Sequence, residues 1–349
     1  MKTKALFLED LEDLGSFDEF VNEHFPHSKL FILCDENTQE HCLPLLDNTF
    51  GGKLADAELI LIEAGEASKD LEVYQGLVET LVDLNAERNA LLINVGGGVV
   101  CDLGAFVAST FKRGIPFINI PTSLLAMVDA AWGGKNGVNL GPLKNQIGTF
   151  SESEFNIVCP TFLNSLPDEE LISGKAEMLK HGLISNPQHY REVEIKGIPN
   201  LEAIKASIKV KMDIVAADPH EKGQRKLLNF GHSLGHAFES YAASKGDPIS
   251  HGQAVLAGMI CEVYLSETNG LAKSELQEIV ENLRLFHKPI KLELGYKKEL
   301  KEFLQADKKR QANKHNFSLL STLGAASYNR QLSSESIDES IDFYTSVYS

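Results

Sequence analysis

Four short, unbroken apolar runs recur through the first 160 residues: KLFILC (29–34), AELILIE (57–63), ALLINV (90–95) and PFINIP (116–121). Runs of this length and continuity read as strands buried on both faces. Between them lie stretches with helical spacing, such as KDLEVYQGLVETLVDL (69–84) and VVCDLGAFVASTF (99–111). Strand–helix alternation with such strands points to an α/β domain built on a parallel, Rossmann-like sheet covered by helices. After about residue 165 helical periodicity dominates and β-branched runs become rare. With 349 residues there is material for two domains. The expected division is an α/β domain over 1–163 and a mostly α-helical domain over 164–349, separated where prolines punctuate the chain between Pro160 and Pro167.

The net charge of −16, with no Lys/Arg run, argues against a nucleic-acid partner. An anionic substrate would need a local basic pocket within an acidic body. No stretch reaches the roughly 20 apolar residues of a membrane span. The N-terminus turns acidic by residue 9, so no signal-peptide core is expected. The five cysteines are odd in number and have no CxxC spacing. These features imply a reducing, cytoplasmic setting and no membrane association.

The segment Asn94-Val95-Gly96-Gly97-Gly98-Val99-Val100-Cys101-Asp102 follows a strand and opens a helix. Glycines there would let backbone approach a pyrophosphate at a helix N-terminus. The spacing is not GxGxxG, so a plain tight turn is the competing reading. Asp35 and Asn37 follow the first strand, and Glu66 and Lys69 follow the second, at the edge where open sheets bind ligands.

His232 and His236 stand four apart on an expected helix, and His251 opens the next one after Ser250. Glu177 shares a helical face with Lys180 and His181. Two histidines and a glutamate suit a divalent metal with open positions for substrate; ordinary polar helix positions are the alternative. The glycine-rich stretch 122–148 carries Asp129, Lys135, Asn139, Lys144 and Asn145, which fit either an anion or sugar pocket or a solvated loop. Asn229 and Arg225 lie one and two turns before His232, if the helix reaches back that far. Lys308 and Lys309 sit in a charge cluster, which by itself reads as wet surface.

Taken in order, GGGVVCDLGAF, FKRGIPFINIPTSLLAMVDAAWGGKNGVN, GKAEMLKHG, LLNFGHSLGHAFE, SHGQAV and DKK resemble the blocks of 3-dehydroquinate synthase, of the sugar-phosphate cyclase group. The resemblance covers nearly the whole chain. It implies NAD, a divalent metal (zinc, with cobalt as the alternative) and a homodimer. The implied metal ligands are Glu177, His232 and His251. NAD contacts fall on Asp35, Asn37, Glu66, Lys69, Gly97, Gly98, Asp102, Thr122 and Ser123, with Lys144 at the edge of the nucleotide site. Substrate contacts and catalytic groups fall on Asp129, Lys135, Asn145, Lys180, Lys211, Arg225, Asn229 and His236, on one of Lys308 and Lys309, and on Glu221 near the reacting centre. Arg113 would reach the site of the neighbouring subunit.

The implied substrate is the sugar phosphate 3-deoxy-D-arabino-heptulosonate 7-phosphate. The implied course is transient oxidation at C5, phosphate elimination, re-reduction, ring opening and intramolecular aldol closure. Three departures stand out: Ala130-Ala131-Trp132 where two serines and a small aliphatic residue are usual, Asn136 for threonine, and Gln253 for glutamate. Trp132, the chain's single tryptophan, has the bulk to reshape a pocket. A cyclase acting on sedoheptulose 7-phosphate or glucose 6-phosphate is the first alternative. A metal-dependent polyol dehydrogenase is the second, and a non-catalytic assembly protein the third.

Overall fold

The computed structural model describes residues 3–11, 17–47, 56–141, 143–308 and 316–349. The chain forms two compact units, Met1–Pro167 with Ile198–Ile204, and Asp168–Gly197 with Lys205–Ser349.

The first unit runs β1 (Lys4–Phe7), α1 (Phe17–His24), β2 (Leu30–Asp35), α2 (Glu36–His41), α3 (Leu43–Asp47), β3 (Glu58–Ile62), α4 (Leu71–Asp83), β4 (Leu91–Gly96), α5 (Gly98–Thr110), β5 (Phe117–Pro121), β6 (Lys135–Leu140), β7 (Leu143–Phe150) and β8 (Phe155–Val158). Six strands form one sheet in the order β1-β8-β5-β4-β2-β3, every pair parallel. The inner strands β4, β5 and β8 are buried at every position, as their unbroken apolar runs require. β3, at an edge, alternates instead: Leu59 and Leu61 are exposed although the run reads as continuous. The register pairs Asp35 with Ile62, Cys34 with Val95 and Gly96 with Pro121. The carboxyl ends of β3, β2, β4 and β5 therefore lie side by side, and the chain leaves each of them into a segment expected to touch a nucleotide.

One part of the glycine-rich stretch differs from the solvated-loop reading. Ala126–Ala130 is a π-helical turn, and β6 and β7 pair as an antiparallel hairpin packed on α5.

The second unit comprises α6 (Asp168–Ser185), α7 (Pro187–Glu192), most of α8 (Leu201–Ala217), α9 (His232–Ser244), α10 (His251–Leu265), α11 (Lys273–Phe286), α12 (Tyr296–Lys308), the antiparallel pair β9 (Asn316–Thr322) and β10 (Ala325–Gln331), and α13 (Ser334–Ser346). α10 is apolar on all sides, and all but one residue from Gly252 to Leu265 is buried. It packs against α6, α9, α11 and α13. Among the described residues, the β9–β10 hairpin is a departure from helix that the periodicity did not announce. Among the described residues no helix is long and apolar enough to cross a membrane.

Candidate active site

In the first unit, β4 ends at Gly96 and Gly97 caps α5 without any side-chain hydrogen bond to the helix N-terminus. Gly97 has φ −72°, and a Cβ there would come no closer than 3.4 Å to Ser123 Oγ; at Gly98 the nearest atom would be Ala130 Cβ, also at 3.4 Å. Neither position needs glycine for its own packing. Both are partly exposed at the open end of a 13-residue helix, which suits the close approach of an anionic group. Thr122 and Ser123 follow β5 directly; the Thr122 amide donates to Gly96 O at 3.0 Å, and Ser123 Oγ accepts from the Ala126 amide at 3.2 Å.

Asp35 ends β2 and caps α2, accepting from the Thr38 amide at 2.8 Å, with Asn37 exposed at the second position of the helix. Lys69 is buried, and its ammonium donates to Asp102 Oδ2 at 2.5 Å and to Asn145 Oδ1 at 2.6 Å. Asn139 ties the rest of this group together, donating to Glu66 Oε1 at 2.8 Å and accepting from the Asn145 amide at 2.8 Å. Glu66, Lys69, Asp102 and Asn145 thus form one network, in which Asn139 has a bridging role that charge and spacing did not reveal. Asn145 itself has φ +53°, an uncommon backbone state for which asparagine is among the better-suited residues. Lys144 and Lys135 are exposed on the β6–β7 hairpin, and Asp129 lies in the π-helical turn. Trp132 does not stand out as a pocket wall: it is buried, and its indole N–H donates to Met127 O at 2.6 Å.

Arg113 is exposed at the end of the 3-10 turn Phe111–Arg113 that follows α5. Lys112, Arg113 and Gly114 there take φ of +48°, +71° and +113° in succession. Two consecutive left-handed non-glycine residues are costly and need surrounding support. One such support is visible, the Lys112 ammonium donating to Ala86 O at 2.6 Å.

In the second unit the histidines and the glutamate converge. Glu177, on α6, is 1% exposed. Its Oε2 is in ion contact with the Lys180 ammonium. Its Oε1 makes no hydrogen bond among the described residues and lies 3.5 Å from His232 Nε2 and 4.0 Å from His251 Nε2. One atom from each of the three falls within 4.8 Å of the others. Burial, together with Lys180 and the two neighbouring histidines, drives the His232 pKa well below its ordinary value, so the ring is neutral and has a lone pair to offer. A buried carboxylate oxygen without a donor, aimed at two imidazoles, is a donor set that fits a divalent cation.

α9 begins at His232 rather than reaching back to Arg225. Gly231 takes φ +81°, where a Cβ would lie 2.4 Å from Met259 Cγ, and Gln224–Asn229 is a separate 3-10 turn. The start of α9 is capped from another helix: Glu262 of α10, wholly buried, accepts from the Gly231 amide at 2.7 Å and the Leu234 amide at 3.5 Å. Glu262 thereby fixes the turn that carries His232. An acidic residue inside an apolar helix was the available signal for it.

Arg225 is buried, with Nη1 donating to Pro219 O at 2.6 Å. Glu221 sits at φ +57° and accepts from Asn229 Nδ2 at 2.7 Å. Asp218 holds this loop by accepting from the amides of Lys222 (3.0 Å), Gly223 (2.6 Å) and Arg225 (3.1 Å). Lys211 is buried on α8. The ring of His236 lies 5.5 Å from that of His232 and 6.1 Å from that of His251, centroid to centroid. Lys308 is the last residue of α12, and Lys309 lies outside the described residues. His181, on the Glu177 face, is fully buried and shares a 2.7 Å hydrogen bond with Ser207 Oγ.

Family models match the chain in two consecutive parts: 3-dehydroquinate synthase N-terminal over residues 59–173 and 3-dehydroquinate synthase C-terminal over 174–310. A 3-dehydroquinate synthase of Parabacteroides distasonis is 38% identical over 348 residues, covering 98% of this chain and 97% of the relative. One of Bartonella bacilliformis is 35% identical over 332 residues, covering 91% and 88%. Among solved structures, 2-epi-5-epi-valiolone synthase of Streptomyces hygroscopicus subsp. jinggangensis, with NAD+ and Zn2+ bound, superposes with a TM-score of 0.85 at 23% identity, covering 99% of this chain and 97% of that one. A 2-deoxy-scyllo-inosose synthase complexed with carbaglucose-6-phosphate, NAD+ and Co2+ gives 0.82 at 21% identity, covering 97% and 96%. At these identities the likeness of the solved structures is one of fold.

Proposed function

The chain belongs to the 3-dehydroquinate synthase family, and from that premise we propose how its residues carry the reaction. The protein is a phosphate-eliminating cyclase that converts 3-deoxy-D-arabino-heptulosonate 7-phosphate to 3-dehydroquinate and phosphate. The hydride removed at C5 is returned there before ring opening and aldol closure, so no net oxidation occurs.

Residues 1–163 are assigned to NAD and residues 164–349 to the metal and most of the substrate contacts. NAD, when bound, supplies the hydride acceptor for C5. Gly97, Gly98 and the α5 N-terminus would hold its pyrophosphate, with Asp35, Asn37, Glu66, Lys69, Asp102, Thr122, Ser123 and Lys144 around it. Glycines without a packing need, and a helix end without a side-chain cap, support this. A divalent ion, when bound, lowers the pKa of a substrate hydroxyl and polarises the carbonyl formed from it. Glu177, His232 and His251 would hold it; zinc and cobalt both suit two imidazoles and a carboxylate.

The convergence of those three side chains is the observation that carries the reading. The substrate's carboxylate and phosphate call for fixed cations, and Lys180, Lys211 and Arg225 supply three of them buried inside an acidic protein. Asn229 and Glu221, hydrogen-bonded to each other, are placed to orient a hydroxyl and move its proton. His236 is assigned to the leaving phosphate. Asp129, Lys135, Asn145 and one of Lys308 and Lys309 complete the substrate contacts. The active form is a homodimer in which Arg113 serves the neighbouring subunit; its exposure on a costly turn supports that assignment. We place the protein in the cytoplasm, where its buried cysteine thiols stay reduced.

Purified protein given the heptulosonate phosphate, NAD and zinc should release phosphate and form the cyclic ketone without accumulating NADH. Consumption of sedoheptulose 7-phosphate or glucose 6-phosphate in its place would overturn the substrate assignment.

A further inference from the structure

The two ring nitrogens of His251 face different carboxylates. Nε2 lies 4.0 Å from Glu177 Oε1, and Nδ1 lies 4.0 Å from Glu239 Oε2. His232 divides its nitrogens in the same way: Nε2 lies 3.5 Å from Glu177 Oε1, and Nδ1 lies 3.2 Å from the Phe230 carbonyl oxygen. Both rings turn Nε2 toward one point and Nδ1 toward an acceptor elsewhere. Histidines that bind metals almost always donate the other ring N–H to a carboxylate or carbonyl, which fixes the tautomer and raises the basicity of the ligand nitrogen. Glu239 stands on α9 three residues after His236 and seven after His232, on the same face of the helix. One helix therefore presents both a ligand and an acceptor for the ligand on α10.

We propose that Glu239 is a positioning residue for the metal centre: its carboxylate accepts the Nδ1–H of His251 and holds Nε2 toward Glu177. The inference rests on the reading that Glu177, His232 and His251 hold the ion. The 4.0 Å separation exceeds a hydrogen bond. A small turn of either side chain closes it when Nε2 is engaged. His236, Glu239 and His251 also bring one atom each within 4.8 Å, which makes a second ion the competing arrangement. A neutral imidazole has one donor and one acceptor nitrogen, so His251 could serve two ions only by losing its last ring proton. That favours the orienting role.

The test uses full-length wild type, E239Q and E239A. Zinc dissociation constants would be measured by competition with a chromophoric chelator. Stoichiometry, the unfolding midpoint of the metal-free protein and the visible spectrum of the cobalt(II) form complete the comparison. The expected result is one ion per chain in all three, with zinc affinity weakened by roughly 10–100-fold in the variants, more in E239A than in E239Q. The cobalt bands should shift, and the metal-free midpoint should stay at the wild-type value. Unchanged affinity overturns the proposal. So does a second zinc equivalent lost in E239A while the first binds as before, or a drop in metal-free stability that accounts for the weakening. Failure of wild type to bind zinc at all would instead remove the metal reading on which the proposal stands.

Discussion

Glu177 turns one buried oxygen toward two imidazoles and gives the other to an ammonium. A buried carboxylate needs positive or hydrogen-bonding partners to offset its lost hydration. Glu177→Gln should leave the chain folded but unable to retain zinc and without turnover, as read by elemental analysis and phosphate release. Glu262 makes a different kind of contribution. Replacing it with glutamine weakens two charge-assisted bonds to the start of α9 and should cost about 1–3 kcal/mol in a denaturant titration, with a further loss of zinc affinity because His232 opens that helix. Residue type and helical spacing marked Glu177, His232 and His251 as candidates for a metal, with ordinary polar helix positions as the alternative; the choice of these three came from the family resemblance. Glu262 was not legible, because its partners are backbone amides far away in the chain; Asn139 was marked as a candidate pocket residue, but its bridge between Glu66 and Asn145 was not readable, since Glu66 is distant in sequence.

Among the elements, the strand-to-helix turn at Gly96–Gly98 carries the sharpest expectation. Alanine at Gly97 fits its backbone and meets Ser123 only at contact distance. Gly97→Ala should therefore keep the wild-type unfolding midpoint while weakening NAD binding about tenfold, roughly 1.4 kcal/mol, in a fluorescence titration. Loss of stability with unchanged NAD affinity would make the glycine a packing residue. β2, β4 and β5 were readable because burial on both faces leaves continuous apolar runs; β3 was readable from its apolar run although it lies at an edge. The β6–β7 hairpin was not, because its glycines read as loop residues. Gly137 sits opposite Gly148, and a Cβ on either would lie within 2.4 Å of an opposing carbonyl oxygen. Close approach of two strands, rather than freedom of the chain, explains those glycines. β9 and β10 were hidden for another reason: β10, AASYNRQ, is mostly exposed and carries little apolar pattern.

For the molecule as a whole, buried neutral histidines set the response to acid. Burial lowers the pKa of His189 to about 4, with neighbouring His181 adding to it, and that of His287 to about 3. His287 lies between Gln253 Oε1 and the Tyr344 hydroxyl, each at 2.9 Å. Both rings stay neutral in the fold at a pH where the unfolded chain, with ordinary histidine values near 6.5, takes up protons. Between those limits the unfolded state binds more protons, so stability falls as pH falls. The urea midpoint should hold steady above about pH 7, begin to drop below about 6.5, and keep dropping toward pH 4. A His287→Asn variant should lose part of that slope; an unchanged slope would remove His287 from the cause. Two units, a parallel sheet followed by helices, were foreseen from periodicity alone, because periodicity reports which faces are buried. The proposed metal centre draws on α6, α9 and α10, and its ligand set came from motif resemblance rather than from pattern.

One carboxylate and two imidazoles are proposed to hold the ion on which turnover depends. The direct measurement is anomalous diffraction at the zinc edge from crystals of the zinc-loaded protein. The expected result is a single strong peak per chain, bonded to a Glu177 oxygen and to the Nε2 atoms of His232 and His251. A peak bonded to other side chains, with those three left apart from it, would contradict the account.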